Sequence, residues 1–259
     1  MTNQSDINRT LEHFVRAVDT AEQHHEPFYH LRLTNLFPTD IYSAMMAAMP
    51  VREDYRRMSG RTKSTRTNDG SGTRTKIDLF PEYIRHLPPQ KKPVWEVIGR
   101  VLCSSEVREA FKRRLAPGLE ARFGPDYKRV GMYPIPILTR DVPGYNIGIH
   151  PDTHWKGMTI QLYLPRDPSI EHVGTIFHKR TGENSYQKVK QMSFSPNTGY
   201  AFAVDKHTYH SADTLGPEVQ TRDSILLTYF VDRTPLQLMR NRFRRVGNFM
   251  LNEYRSLRR

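Results

Sequence analysis

Residues 158–165 read Met158-Thr-Ile-Gln-Leu-Tyr-Leu-Pro165, an alternation of side chains that is typical of a β-strand with two unlike faces. Similar short runs, rich in Ile, Tyr, Thr and Phe, are separated by Pro, Gly, Asn or Asp. They cover about 132–140, 145–150, 157–164, 173–178, 185–194, 199–204 and 223–231. Several strands at such spacing predict an all-β sandwich or barrel.

Helical patterns flank this region on both sides. Apolar side chains at helical spacing predict helices over about 6–22, 39–49, 93–102 and 105–122, and a strand ending at Pro38 lies between the first two. A further apolar stripe predicts a long C-terminal helix from about Pro235, with arginines on its other faces. Residues 59–76 are polar without periodicity and predict a loop. Its basic side chains suit either a lid over an anionic substrate or a solvated surface.

No internal repeat and no inter-domain linker is visible. We therefore expect one domain over residues 1–259, which is mainly β with flanking helices. It would consist of a helical N-terminal part (1–129), a barrel (130–231) and a basic C-terminal helix (232–259).

Composition excludes several classes of protein. The chain has 259 residues, of which 37% are hydrophobic and 25% charged, so it is globular and not disordered. Its one cysteine excludes an internal disulfide framework and a four-cysteine zinc site. No apolar stretch approaches the ~20 residues of a membrane-spanning helix, and the first residues do not resemble a secretion signal. We expect a cytoplasmic protein without a membrane span.

The chain carries a net charge of +12, which favours anionic partners. Half of this excess lies in residues 232–259, which hold eight arginines, no lysine and two acids. The charge is therefore concentrated at one end, and this argues against a nucleic-acid partner. The apolar stripe of the same segment would pack on the barrel or on a twin subunit, so a homodimer stays open.

Chemistry-bearing residues cluster at the end of one predicted strand. Residues 143–152 read Pro143-Gly-Tyr-Asn-Ile-Gly-Ile-His-Pro-Asp152, and strand residues two apart point to the same face. His150 and Asp152 can thus present a nitrogen and an oxygen to one point. A third ligand could come from His207 or His210. Two His and one carboxylate are the ligand set of non-heme Fe(II) oxygenases.

An arginine further along the chain suits a carboxylate ligand. Arg222 precedes the apolar strand 223–231, where a guanidinium at the base of a barrel can bind a carboxylate in a bidentate fork. An anchored 2-oxoglutarate would require such a group.

With these motifs the chain resembles the 2-oxoglutarate/Fe(II)-dependent oxygenases, most of all their prolyl-hydroxylase-like arm. The resemblance covers roughly 130–231. It rests on the residues that match the family pattern, which are His150-x-Asp152, the strand 158–165, Gly174, residues 199–202, His210 and Arg222-x-Ser224. It implies a double-stranded β-helix, a jelly roll (cupin-like barrel) with iron in its mouth.

The resemblance also implies roles for single residues. His150, Asp152 and His210 would bind Fe(II), and Arg222 would bind the distal carboxylate of 2-oxoglutarate. Tyr163 and Ser224 match positions that assist that carboxylate. Gln161 alternates with Tyr163 on one strand face, where it either bonds to the same carboxylate or belongs to an ordinary polar lining. The spacing to the arginine favours His210 over His207, because relatives have the shorter interval.

Two further residues have alternative interpretations. Arg140 could grip an anionic substrate or form a structural salt bridge. His154 shares the parity of His150, but the strand is expected to end near Pro151, so His154 faces either substrate or solvent.

The resemblance implies a dioxygenase that couples O2 and 2-oxoglutarate to hydroxylation of an unactivated C–H bond, with desaturation or cyclisation as other outcomes. With no added recognition domain, we expect a small-molecule substrate, such as an amino acid or natural-product intermediate, which could be anionic. Two alternatives stay open: an oxygenase acting on a protein or RNA, and a cupin-like metal-binding protein or zinc hydrolase.

Overall fold

The computed structural model of the protein describes residues 4–58 and 72–232, together with Gly247 and Met250. Apart from Gly247 and Met250, the predicted C-terminal helix lies outside the described residues, as do residues 59–71 of the predicted loop.

The predicted N-terminal helices are confirmed, with shifted ends. The helices in the described ranges are α1 (Gln4–Asp19), α2 (Thr39–Ala47), α3 (Lys92–Leu102), α4 (Ser105–Arg114) and α5 (Ala116–Phe123). The predicted helix over 105–122 is in fact two helices that meet at Leu115. Pro117 causes the division, because proline lacks the N–H that a continuing helix needs.

Twelve strands form two antiparallel sheets within the described residues. Seven strands precede residue 164: β1 (Glu22–His24), β2 (His30–Thr34), β3 (Arg56–Arg57), β4 (Arg74–Asp78), β5 (Met132–Asp141), β6 (Ile147–His150) and β7 (Lys156–Tyr163). The remainder are β8 (Ile176–Arg180), β9 (Tyr186–Gln191), β10 (Thr198–Ala203), β11 (Tyr209–Ala212) and β12 (Arg222–Val231). The major sheet has the order β1-β2-β10-β7-β12-β5-β4-β3, and the minor sheet has the order β6-β11-β8-β9.

Two segments differ from the sequence prediction. Residues 74–76 belong to strand β4 and not to a loop, so the predicted boundary at residue 76 is wrong. Residue 210 lies on strand β11, outside the strand segments that the sequence predicted. Both strands are short, and their side chains that face a cavity are mostly polar. The alternation of apolar and polar residues from which strands are predicted is therefore weak in both.

The major sheet separates the core from the site. Along β12, Ile225, Leu227 and Tyr229 are fully buried in the core that the helices cover. On the other face, Arg222, Leu226, Thr228 and Phe230 line a cavity between the sheets. This period of two follows from the pleat, which directs successive side chains to opposite faces.

These features form a jelly roll of two sheets with helices packed on the outer face of the larger one, which confirms the predicted fold class. In the described part of the chain, no helix is both long and apolar enough to span a bilayer.

We expect Gly199→Ala to lower the free energy of unfolding by about 1–3 kcal/mol. Gly199 is opposite Leu162 in the β10–β7 pair, and an added Cβ would lie within 3.0 Å of the carbonyl oxygen of Gln161. Urea unfolding measures the change. Gly148→Ala is the control, because nothing lies within 4 Å of a Cβ there. Equal stability of the two variants would contradict this account of the strand contact.

Candidate functional site

The pairing of β6 with β11 brings two histidines together. His150 and His210 are direct partners in this ladder, and their ring centroids are 4.5 Å apart. The Nδ1 of His150 lies 2.9 Å from the carbonyl oxygen of Gly148, and the Nδ1 of His210 lies 3.0 Å from that of Thr208. Because a carbonyl only accepts, each Nδ1 carries the proton and each Nε2 keeps its lone pair for a metal.

Asp152 completes the group from the segment that follows β6. Its carboxylate accepts from Lys156 Nζ at 2.5 Å and from Thr159 Oγ1 at 2.6 Å. The ligand atoms of His150, Asp152 and His210 lie within 4.8 Å of one another. The structure therefore brings all three predicted metal ligands together.

The protonation states suit a cation. Burial raises the pKa of the Asp152 carboxyl, but the attraction of Lys156 and His210 and the hydrogen bonds to this carboxylate outweigh burial, so the pKa lies well below its usual value. Burial lowers the pKa of His210 to about 4, against the opposing effect of Asp152. At neutral pH these two residues present one carboxylate and one neutral imidazole. This donor set, with a second imidazole, fits ferrous iron.

A buried ion cluster forms the opposite end of the site. Arg222 on β12 and Arg74 on β4 are both opposite Asp141, the last residue of β5. Arg222 Nη1 donates to Asp141 Oδ2 at 2.9 Å, while Nε and Nη2 of Arg74 donate to the same carboxylate at 2.5 and 2.7 Å. Two cations share one anion, so the cluster keeps one positive charge.

The residual charge is available to a ligand. Arg222 is 1% exposed, and its Nε has no hydrogen-bond partner among the described residues. A buried unpaired donor is costly, so this position fits the carboxylate of 2-oxoglutarate that the sequence predicted for Arg222.

Polar side chains lie along the inner face between the two ends. Gln161 Nε2 donates to Ser224 Oγ at 3.0 Å, and Gln161 Oε1 accepts from the hydroxyl of Tyr200 at 2.7 Å. Both Gln161 and Tyr200 line the cavity. Tyr163 is buried at this face, but its hydroxyl accepts from the backbone N–H of Thr175 at 3.0 Å, and it does not line the cavity.

The remaining predicted residues lie elsewhere. Arg140 Nε donates to Asp223 Oδ1 at 2.7 Å, outside the cavity, which favours the salt-bridge interpretation. His154 and His207 are exposed and do not line the cavity.

Sequence reasoning missed five polar residues of the site. They are Arg74, Thr139, Asp141, Thr175 and Tyr200, all of which are buried and form part of the polar network around the cavity. Alternation along each strand could have indicated an inward direction for Thr139 and Tyr200. No pattern in the chain pairs Arg74 with Asp141, because 66 residues separate them.

One cavity of about 750 Å³ joins both ends of the site. Its lining includes His150, Asp152, His210, Arg74 and Arg222. Volumes of roughly 300–1,000 Å³ are typical of small-molecule sites.

Solved structures share this architecture. A prolyl 4-hydroxylase of Phytophthora capsici superposes with a TM-score of 0.51 at 12% sequence identity, over 90% of this chain and 68% of that one. A prolyl-4-hydroxylase of Pseudomonas putida has a TM-score of 0.48 and 15% identity, over 85% and 98% of the chains. The 2-oxoglutarate-dependent epimerase SnoN of nogalamycin biosynthesis has a TM-score of 0.49 and 11% identity, over 86% and 83%.

No protein-family model and no curated protein matches the chain. The structural likeness therefore confirms the resemblance stated above at the level of the fold.

We expect Asp141→Asn to lower the free energy of unfolding by about 3–5 kcal/mol, because it leaves two buried guanidiniums without their shared anion. Urea unfolding provides the measurement. Asp126→Asn, on a side chain that is 78% exposed, is the control and should change stability little. Adding Arg74→Met to Asp141→Asn removes one of the two cations and should restore part of the loss. An Asp141→Asn variant as stable as the wild type would refute the shared-anion account.

Proposed function

We propose that the protein is a non-heme Fe(II)- and 2-oxoglutarate-dependent dioxygenase that hydroxylates an unactivated C–H bond of a small molecule. The observation that carries the proposal is the placement of a His–Asp–His group and a buried arginine with an unpaired donor in one cavity. The fold shared with a prolyl 4-hydroxylase supports it.

His150, Asp152 and His210 would hold the iron on one face. When bound, iron and 2-oxoglutarate would supply the oxidising chemistry, in which one oxygen atom of O2 enters succinate, with loss of CO2, and the other enters the C–H bond. The carbonyl oxygens of residues 148 and 208 fix both imidazoles in the tautomer that binds metal. Lys156 and Thr159 hold the Asp152 carboxylate in place.

Arg222 would bind the distal carboxylate of 2-oxoglutarate through its free Nε. Ser224 and Gln161 lie one and two positions further along the inner face, where their polar atoms can support the bound acid. Tyr163 does not line the cavity, and its hydroxyl accepts a hydrogen bond from the backbone N–H of Thr175. It would therefore act from beneath the cavity. Asp141 orients Arg222 without neutralising the cluster, since Arg74 shares it.

The buried cluster also distinguishes the proposal from the alternatives. A simple metal-binding barrel or a zinc hydrolase has no need of two arginines around one aspartate at the far end of its cavity. An oxygenase acting on a protein or RNA would use the same iron and 2-oxoglutarate groups, so only substrate assays separate it from the present proposal.

The test of the proposed activity is 2-oxoglutarate turnover by the full chain. With Fe(II), ascorbate and O2, the protein should convert 2-oxoglutarate to succinate, slowly alone and faster with a substrate from a small-molecule panel. Stoichiometric zinc without succinate formation would support the hydrolase or metal-binding alternative. Stimulation by peptide or RNA alone would overturn the small-molecule assignment.

We expect Asp152→Ala to reduce succinate formation at least a hundredfold, because the iron loses its anionic ligand. Iron retained after dialysis should fall in parallel, and circular dichroism should stay unchanged. Asp126→Ala, at an exposed carboxylate, is the matched control. Activity near that of the wild type would show that Asp152 is not a ligand.

We expect Arg222→Met to raise the KM for 2-oxoglutarate about thirtyfold or more, since loss of a buried charged contact costs 2 kcal/mol or more, with a smaller change in kcat. The fold should tolerate this change because Arg74 still neutralises Asp141. Arg140→Met is the comparison: it breaks an ion pair outside the cavity and should lower stability but leave this KM unchanged. Equal effects on KM would remove the assignment of Arg222.

A further inference from the structure

The inner face of the major sheet changes character along its strands. Between β12 and β5, successive cavity-facing pairs are Arg222–Asp141, Ser224–Thr139, Leu226–Ile137, Thr228–Ile135 and Phe230–Tyr133. The face is therefore charged at one end, polar next to it, and apolar and aromatic at the other end.

The candidate metal group lies at the level of the fourth of these pairs. Thr159 donates to Asp152 and is the β7 partner of Thr228, which is opposite Ile135 on β5. The arginine cluster and the aromatic end thus lie on opposite sides of the metal ligands along the strands. Since 2-oxoglutarate would take the charged side, the apolar side is left for the substrate.

We call this apolar side the outer chamber. Its lining consists of the aliphatic and aromatic side chains Phe80, Tyr133, Ile135, Ile149, Trp155 and Phe230. Trp155 lies beside the end of β12, because its carbonyl oxygen accepts from the backbone N–H of Val231.

Charged side chains near the chamber are engaged by one another. Lys76 Nζ donates to Asp78 at 3.0 Å, and Arg56 donates to the same carboxylate. Lys156 is bound to Asp152. Arg56 and Lys76 share one carboxylate, so this group too keeps one positive charge, but Lys76 is opposite Thr139 and Asp78 is opposite Ile137, on the same side of the candidate metal ligands as the arginine cluster. Among the described residues, the excess positive charge of the cavity thus lies on that side, so a charged group in the chamber would lose water without gaining a partner.

The apolar surface of the chamber is only partly covered by protein. Ile135 and Tyr133 retain solvent-exposed surface, whereas Ile225 and Leu227 on the other face of the sheet are fully buried. A concave apolar surface beside convergent polar groups is typical of a ligand site.

We propose that the substrate is an uncharged, largely apolar small molecule with a ring body, which the outer chamber binds against its aliphatic and aromatic side chains. This inference rests on the proposed function and replaces the expectation of an amino acid or anionic substrate. The ring body follows from the rings that line the chamber, since aromatic side chains pack well against flat apolar groups.

The test uses the full chain with Fe(II) and saturating 2-oxoglutarate without oxygen, so that binding is measured without turnover. Equilibrium dialysis compares three probes of similar size: 1-tetralone, which is neutral; 1,2,3,4-tetrahydronaphthalene-1-carboxylate, which is anionic; and L-phenylalanine, a zwitterion. We expect 1-tetralone to bind at least tenfold more tightly than either charged probe. Equal or tighter binding of a charged probe, or no binding of the ketone, would overturn the inference.

Two variants locate the binding. Ile135→Asn places a polar group in the chamber and should weaken 1-tetralone binding about tenfold, with retention of 2-oxoglutarate unchanged. Val189→Asn, at an exposed valine on β9, is the control and should have no effect. Trp155 fluorescence gives a second readout, because the only other tryptophan, Trp95, is buried in the core. 1-Tetralone should quench the wild type and have little effect on Trp155→Phe.

The outcomes distinguish a failure of the substrate inference from a failure of the proposed function. If iron and 2-oxoglutarate are retained and succinate forms, but the ketone shows no preference, only the substrate inference fails. If neither is retained and no succinate forms, the proposed function fails together with the inference. The probe series on the wild type decides the question even if Ile135→Asn does not fold.

Discussion

The register of β6 against β11 fixes the distance between His150 and His210. A slip of one residue would turn one of the two imidazoles to the other face, because side chains alternate along a strand. The ladder becomes irregular between His210 and Ala212, immediately after the critical pair. β8 secures β11 from the other side, where His210 is opposite Phe177. The candidate metal site therefore depends on three strands of the smaller sheet, and Asp152 joins it from the segment that follows β6.

At the other end of the site, two buried arginines share one aspartate, so the positive charges outnumber the negative ones. Full neutralisation of Arg222 by Asp141 would leave little attraction for a dicarboxylate, whereas a lone buried guanidinium would destabilise the fold. Arg74 resolves this conflict, because it shares Asp141 and is itself stacked on Tyr145 at 4.1 Å. The cluster keeps one positive charge, and the neighbouring side chains Gln161, Ser224 and Tyr200 are already held in place by hydrogen bonds to one another. Such preorganisation reduces the cost of binding.

Much of this arrangement was predictable from the sequence, but for different reasons at different residues. The strands of the barrel were predicted because the side chains on the face away from the cavity are apolar and pack in the core, as Ile225 and Leu227 of β12 do. His150 and Asp152 were predicted from their spacing, although β6 ends at His150 and Asp152 lies beyond it. The choice of His210 over His207 came from the family resemblance, and the structure supports it through a strand pairing that sequence periodicity did not reveal.

Strand β4 was not predicted because the side chains that it directs into the cavity are charged. Its inward positions are Arg74, Lys76 and Asp78, so the apolar alternation of a half-buried strand is missing. The strand is held instead by its ladder to β5 and by buried ion pairs, which depend on residues more than sixty positions away. Local sequence patterns do not encode such long-range charge pairing.

The net charge of the chain favours an anionic partner, whereas the proposed substrate is uncharged, and the placement of the charges accounts for this difference. The cavity holds several cationic side chains that carboxylates from neighbouring strands engage, and the excess positive charge belongs to the groups around Asp141 and Asp78, on one side of the candidate metal ligands. That charge lies at the end of the barrel that the co-substrate would occupy. Beyond the metal ligands, the strand faces carry Ile135, Tyr133 and Phe230, whose surface favours apolar contact. For the proposed substrate, specificity would follow from the order of side chains along β5 and β12, because that order places the charged groups and the apolar groups on opposite sides of the candidate metal ligands.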